Sequence, residues 1–160
     1  MALWLVRAGT RGEREQFALD NRVAAIGWEE ISDLMRFTSR EEIITELTDK
    51  YPNEGLRTIR TWASELFSFS RKIQIDDYVA MPIRDRSSIF IGRVIGDYQY
   101  KSYFPINSRH TREVNWIDEY PRTAFHKDIL RSLGALLAVG RVRREFADAH
   151  IEAIIEGQEL

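Results

Sequence analysis

The stretch that decides the fold is Ile73-Gln-Ile-Asp-Asp-Tyr-Val-Ala-Met-Pro-Ile-Arg-Asp-Arg-Ser-Ser-Ile-Phe-Ile-Gly-Arg-Val-Ile-Gly-Asp-Tyr-Gln-Tyr100. Two β-rich runs flank a polar link, Arg84-Asp85-Arg86-Ser87, of the kind that closes a hairpin. The first run sets Val79, Met81 and Ile83 against Tyr78, Ala80 and Pro82. The second is apolar on both faces around Gly92, with Ile89, Ile91 and Ile95 on one side and Phe90 and Val94 on the other. A strand apolar on both faces belongs at the centre of a sheet, covered twice. Proline cannot donate to a ladder, so Pro82 marks an edge or a bulge. Gly96-Asp97 is a turn or bulge signal, and the chain leaves it through Tyr98, Gln99 and Tyr100. Together these features predict the core hairpin of a small β-barrel with an aromatic exit at one rim.

Outward from the hairpin, Leu3 to Ala8 reads as an opening strand. Arg7 shares a face there with Leu3 and Leu5, so it either pairs internally or sits at a pocket mouth. A short helix is expected at Glu13 to Leu19. Arg22 to Trp28 reads as a short buried strand ending in Gly27-Trp28, where glycine permits close backbone approach. Trp28 is then either a core plug or a ring exposed in a pocket. Ser39-Arg-Glu-Glu42 is a capping box that starts a helix running to about Tyr51. Pro52 to Gly55 breaks the chain, and Leu56, Ile59, Ala63, Leu66 and Phe67 form the stripe of a second helix. Trp62 and Phe69 lie at the edge of that stripe, as a packing lid or leaning over the barrel mouth. Thr111 to Trp116 is another strand, and Phe125 to Leu137 a helix interrupted at Gly134. Arg141 to Ile155 is read as helical, with Arg143 and Arg144 early and Glu152 and Glu156 late, an order that opposes the helix dipole.

With 160 residues, 44% hydrophobic and 30% charged, the chain has the profile of one globular domain. It contains no cysteine, which excludes disulfides and cysteine-ligated metals and fits a reducing compartment. No apolar run reaches the length of a membrane helix, and no basic segment precedes an apolar one at the start; the expected location is cytoplasmic. A net charge of −2 argues against coating nucleic acid over the whole surface. Between Arg84 and Arg112, however, Arg84, Arg86, Arg93, Lys101, Arg109 and Arg112 stand against only Asp85 and Asp97. That stretch is a candidate phosphate-binding face or a solvated loop with scattered charge.

The segments "DDYVAMP…IFIGRVIGDYQY", "HTREVNW" and "LRSLGALLAV", preceded by "LWLVRAG" and "AIGW", resemble the N-terminal region of predicted Mrr-like restriction endonucleases. That region is similar to the PUA-like barrels, whose EVE and YTH relatives hold modified bases in an aromatic pocket. The resemblance spans nearly the whole chain. It departs at Asp76-Asp77, where such barrels usually have Gly-Asp, which predicts a less tight turn. It implies an α+β fold, a PUA-like (EVE-like) β-barrel with flanking helices over residues 1–138. Residues 139–160 would form a C-terminal helix leading to a nuclease domain outside this sequence. The implied function is recognition of double-stranded DNA in a modification-dependent restriction system, with one modified base flipped into the pocket.

The three histidines, His110, His126 and His150, have no metal-ligand spacing, and no phosphate loop or nucleophile elbow occurs. No cofactor is expected. Gln99-Tyr100-Lys101 matches half of the Mrr-type nuclease motif and Asp85 lies upstream, but the fragment sits in an all-β stretch, where that chemistry is not built. A flipped base is held by aromatic stacking and by hydrogen bonds to its edge. The candidate pocket is therefore Trp28 and Tyr98 as stacking walls, Trp62 as a third, and Arg7 and Asp97 reading the base edge. Arg84, Arg86, Lys101, Arg109 and Arg112 would grip the DNA backbone, while Trp4 and Trp116 are read as core. The domain itself is expected to catalyse nothing. The alternatives are an RNA-binding module of the same fold, a metal-dependent nuclease using Asp85, Gln99 and Lys101, and a purely structural or dimerising domain.

Overall fold

A computed structural model describes residues 1–157. Its organising element is the hairpin foreseen above, between β3 (Tyr78–Pro82) and β4 (Ser88–Tyr100). β4 runs on through Gly96-Asp97 and pairs along its length with β5 (His110–Pro121). The register slips between Val94 and Tyr98, so the glycine marks a bulge inside one long strand. Gly92 is required by close packing. A Cβ there would stand 2.4 Å from Val114 Cγ1 and 2.7 Å from the Trp116 ring, which lies across the strand. With β1 (Leu3–Val6), β2 (Val23–Ile26) and β6 (Val139–Arg141), the sheet order is β2-β5-β4-β3-β1-β6. Among the described residues only the β1–β3 pair is parallel. Pro82 lies beyond the last residue of β3 that pairs with β1, so its missing N–H interrupts no ladder.

Alternation along the central strands covers the sheet on both faces. Trp4, Val6, Val79, Val94 and Val114 pack against α2 (Arg40–Lys50) and α3 (Leu56–Phe67) through Ile43, Leu47, Ile59 and Leu66, and against Phe69 just beyond α3. Leu3, Leu5, Ala80, Ile89 and Ile91 face α4 (Lys127–Leu133) and α5 (Ala147–Ile155) through Ile129, Leu133, Ile151 and Ile154. Each of these side chains contributes about 1.5–3 kcal/mol when fully buried. α1 (Glu15–Asn21) fills the corner beside β2. The cap of α2 is displaced by one residue from the reciprocal box: Ser39 Oγ accepts from Glu42 N (3.2 Å), while Glu42 Oε2 accepts from Thr38 N (2.8 Å). α3 ends in a π-type turn, Ser68–Lys72, closed by Ile73 N donating to Ser68 O (3.0 Å).

The fold class is α+β as expected, but the sheet is open. β2 and β6 are its two edges, and no ladder joins them among the described residues. The barrel was expected from the central hairpin with its aromatic exit and from the resemblance, whereas closure depends on where the edge strands end. The sequence boundary at residue 138 falls directly before β6, which pairs with β1, and α5 covers one face of the sheet. The helix expected from Arg141 starts only at Ala147, so Arg143 and Arg144 precede it and Asp148 occupies its first turn. The Asp76-Asp77 turn is not loosened. Asp76 takes φ 79°, a left-handed conformation that aspartate tolerates. The Asp77 carboxylate accepts from Ala2 N (3.0 Å), Trp4 Nε1 (3.0 Å) and Gln74 N (2.9 Å). Among the described residues no helix is long and apolar enough to cross a membrane.

Candidate functional site

β2 leaves the sheet at Ile26, and the chain turns at once through Gly27-Trp28. Trp28 holds φ 66°, in a region that bulky residues rarely occupy. Its carbonyl accepts from Ile31 N (3.1 Å), which closes the turn. The half-buried ring meets Trp62 edge to face (centroids 6.0 Å apart), and Trp62 meets Tyr51 in the same way (5.3 Å). Both partners come from the α2–α3 layer, so the helices fix the orientation of the Trp28 ring.

The ring borders a cleft of about 560 Å³, which also includes Arg7, Arg14, Arg84, Leu136 and Leu137. No carboxylate of the described residues is part of its lining, although Glu13 lies 3.7 Å from Arg14. The Arg14 guanidinium lies over Gly27, with Nη2 2.6 Å from where a Cβ would stand, and Arg14 Nε donates to Asn107 O (2.6 Å). Any side chain at position 27 would displace it. Arg7 Nη2 donates to Leu133 O (2.6 Å) and Ala135 O (2.9 Å), capping the C-terminal end of α4. Burial lowers the pKa of both arginines, and the charges of Arg122 and Arg84 lower that of Arg7 further. The loop after α4 is held on its other side by Glu65, whose Oε1 accepts from Ala138 N (2.6 Å) and Val139 N (3.1 Å). Between these anchors Leu136 is 99% exposed at the edge of the cleft.

Behind the Trp28 turn runs a buried chain of hydrogen bonds. His110 Nε2 lies 2.9 Å from the Ile31 carbonyl, which can only accept, so the proton is on Nε2. Nδ1 is then an acceptor, and the Tyr98 hydroxyl donates to it (2.7 Å) while accepting from Leu34 N (3.0 Å). Burial pushes the Tyr98 phenol up and the His110 imidazole down to about 4.

A family model described as a domain of unknown function (DUF8426) matches residues 4–131. The chain belongs to the DUF8426 family. No curated protein matches it. Among solved structures it is similar to the crystal structure of the MmI1 YTH domain, at 7% identity and a TM-score of 0.48, over 98% of this chain and 97% of that one. The family match runs from β1 into α4 and stops before the Leu136 loop.

Within this DUF8426 domain, the residues singled out from sequence fall into three groups. Trp28, Arg7 and Arg84 come together at the cleft, and Trp62 backs Trp28 without lining it. Tyr98 does not join them. It is 6% exposed, packs on Phe69 (centroids 6.2 Å apart), and its hydroxyl is bonded on both sides, so it supports the turn and does not line this cleft. Asp97 lies exposed on the β4 bulge, away from Arg7.

The expected backbone-gripping residues do not form one face. Arg84 and Arg86 lie in the β3–β4 turn, Lys101 and Arg109 beyond the far end of β4. Arg86 is committed to a two-pronged pair with Glu119 (2.5 and 2.8 Å), which, with Ser88, holds that carboxyl at about 2. Lys101 sits over Phe104 (5.1 Å), and Arg109 Nε donates to Phe104 O (2.9 Å). Arg112 is no surface cation. It is 2% exposed and donates to Gly96 O (3.1 Å), Phe69 O (3.2 Å) and Ile73 O (2.6 Å), tying β5 to the π-turn. Asp85 lies at the opposite end of β4 from Gln99 and Lys101, so the nuclease-like fragment is not assembled. Arg14 and Leu136 were not singled out, although Gly27, singled out for close approach, marks the place where Arg14 lies.

Proposed function

We propose that this domain binds nucleic acid by taking one flipped, modified base into the Trp28 cleft. The observation that carries the reading is Trp28 itself: a half-buried ring, held in a costly left-handed backbone, facing a cleft lined by three arginines and by no carboxylate of the described residues. The cleft falls within the about 300–1,000 Å³ range of ligand pockets. Trp28 offers a stacking face, Leu137 adds apolar surface that a base methyl would contact, and the arginines favour an anionic polymer. Leu136, fully exposed at the rim, is placed to enter the gap that a displaced base leaves in a duplex. That feature and the sequence resemblance favour double-stranded DNA over RNA. In this reading the domain is the recognition part of a modification-dependent, Mrr-like restriction system, does not cut DNA itself, and works in the cytoplasm beside a nuclease domain.

The experiment compares one duplex sequence, plain and carrying N6-methyladenine or a 5-modified cytosine, with RNA of the same sequence. The modified duplex is expected to bind at least tenfold tighter than the plain one, with Trp28→Ala abolishing the preference. Absence of any preference, or one that survives Trp28→Ala in folded protein, would overturn the reading; tighter binding of the RNA would replace DNA as the polymer.

A further inference from the structure

A second cleft, of about 610 Å³, opens where β1 begins, beside the end of β6 and the π-turn. Four cationic side chains line it: Arg71, Lys72, Arg141 and Arg143. Asp77, the single carboxylate of the described residues in its lining, already accepts from three N–H groups, and the Met1 amino group at the rim is paired with Asp148 (3.3 Å). The cations are placed by the fold. Val142 is buried against the α4–α5 core, so Arg141 and Arg143 on either side of it leave the chain toward the opposite face. The π-turn that ends α3 presents Arg71 and Lys72 from the other wall. Arg71 Nη2 is fixed by the carbonyls of Phe37 (2.5 Å) and Met35 (3.4 Å), which orient the guanidinium without cancelling its charge. The Lys72 ammonium lies 6.0 Å from the Phe67 ring. Among the described residues the side chains of Arg141 and Arg143 make neither a hydrogen bond nor an ion pair.

Four cations that form no ion pair among the described residues face one cleft against a single carboxylate, Asp77; the net positive charge repels itself, and a polyvalent anion relieves that repulsion. Guanidinium forks on two walls with an ammonium between them match a tetrahedral oxyanion. We propose that this cleft binds a phosphate group. The phosphate can belong to a nucleic-acid backbone or to a free nucleotide or polyphosphate. β6 follows directly on Ala138, at the Trp28 cleft, and ends in Arg141 here, so the two clefts lie at opposite ends of one edge strand. The site stands on its own geometry and not on the base-recognition reading.

The test uses Arg141→Gln/Arg143→Gln and, separately, Lys72→Gln, all at exposed positions, with melting temperatures checked against the parent. Inorganic pyrophosphate is titrated while the backbone amide NMR signals of Lys72 and Arg143 are followed. Duplex DNA binding is measured over a salt series. Pyrophosphate is expected to shift those signals, with affinity falling at least tenfold in the double variant. If the natural source is the nucleic-acid backbone, the slope of log K against log salt also falls by about two in the double variant. If it is a free phosphate compound, pyrophosphate binding is lost while DNA affinity and slope stay unchanged. No response to pyrophosphate, together with an unchanged slope in every variant, would overturn the proposal. Failure of the base-recognition reading is separate, because it shows in modified-base preference, which these substitutions leave in place.

Discussion

The Tyr98 hydroxyl donates to His110 Nδ1 across 2.7 Å, and this bond ties the β4–β5 hairpin to the loop that carries Trp28. His110 Nε2–H passes the connection to Ile31 O, and Ile31 N donates to Trp28 O. The aromatic wall of the cleft is therefore positioned from the sheet through two polar side chains, neither of which lines the cleft. An imidazolium would carry protons on both nitrogens and could not accept from Tyr98.

Acid is expected to act through this histidine. Its folded pKa of about 4 lies below its ordinary 6.5, so the unfolded chain binds the extra proton first. The stabilisation is fully present above about pH 6.5 and is lost as pH falls toward 4. At about 1.4 kcal/mol per pH unit the interval is worth about 3 kcal/mol. Urea denaturation at pH 7, 5.5 and 4 checks this, and His110→Gln should be less stable at pH 7 yet flatter with pH. An equal slope in the parent and His110→Gln would assign acid sensitivity to other groups.

Arg112 should behave as a structural residue. Arg112→Met leaves the carbonyls of Gly96, Phe69 and Ile73 without a donor, at about 1–3 kcal/mol for each that stays buried. Lysine should not rescue, because one ammonium cannot reproduce the fork that reaches β4 at Gly96 and the π-turn at Phe69 and Ile73. The expected loss of at least about 3 kcal/mol is read by chemical denaturation. Wild-type stability in Arg112→Met with a reduced DNA salt slope would restore the residue to the phosphate face.

What the sequence made legible was local. The alternation in 78–95 located the β3–β4 hairpin because a strand covered on both faces has few other readings. Gly27-Trp28 marked a place of close backbone approach but left open whether the ring was a core plug or faced a pocket; the structure puts it beside the cleft. What the sequence could not show was which arginines are spoken for. Arg86, Arg109 and Arg112 look alike in a charge count, yet one pairs with Glu119, one bonds a loop carbonyl, and one is buried. Their partners are set by register and bulge, and the Val94/Tyr98 slip also turns Tyr98 inward. Sheet closure was equally hidden, since it depends on the ends of β2 and β6.

Leu136→Ser should leave folding untouched, because the side chain is wholly exposed and its loop is held by Arg7 and Glu65 through backbone atoms. If Leu136 fills the space of a flipped base, the variant loses affinity for duplex but not for a single strand carrying the same modified base. A loss of about 1 kcal/mol or more in the duplex is expected, against a stacking cost of a few kcal/mol. An equal loss on both substrates would place Leu136 in the pocket wall instead of the helix.

The 160-residue chain should not nick plasmid DNA of any modification status with magnesium or manganese present. Asp85 and Lys101 stand at opposite ends of β4, too far apart to share a metal site. Cleavage abolished by Lys101→Ala would overturn the recognition-only reading.

The backbone at Trp28 yields the last prediction. At φ 66° an L-residue with a Cβ is strained and glycine is not, so Trp28→Gly should be more stable than Trp28→Ala by up to about 1 kcal/mol. Anywhere on an ordinary strand the order would be reversed. Both variants lose the stacking wall, so both should lose about 1–3 kcal/mol of preference for a modified base. Stability and binding then part company: glycine recovers folding free energy relative to alanine and recovers no affinity. Paired denaturation and binding measurements on the two proteins separate the contributions. If alanine is the more stable, the turn at Trp28 is not left-handed in solution; if glycine also restores the base preference, the ring is not the wall. Either result would remove the residue on which the cleft has been built.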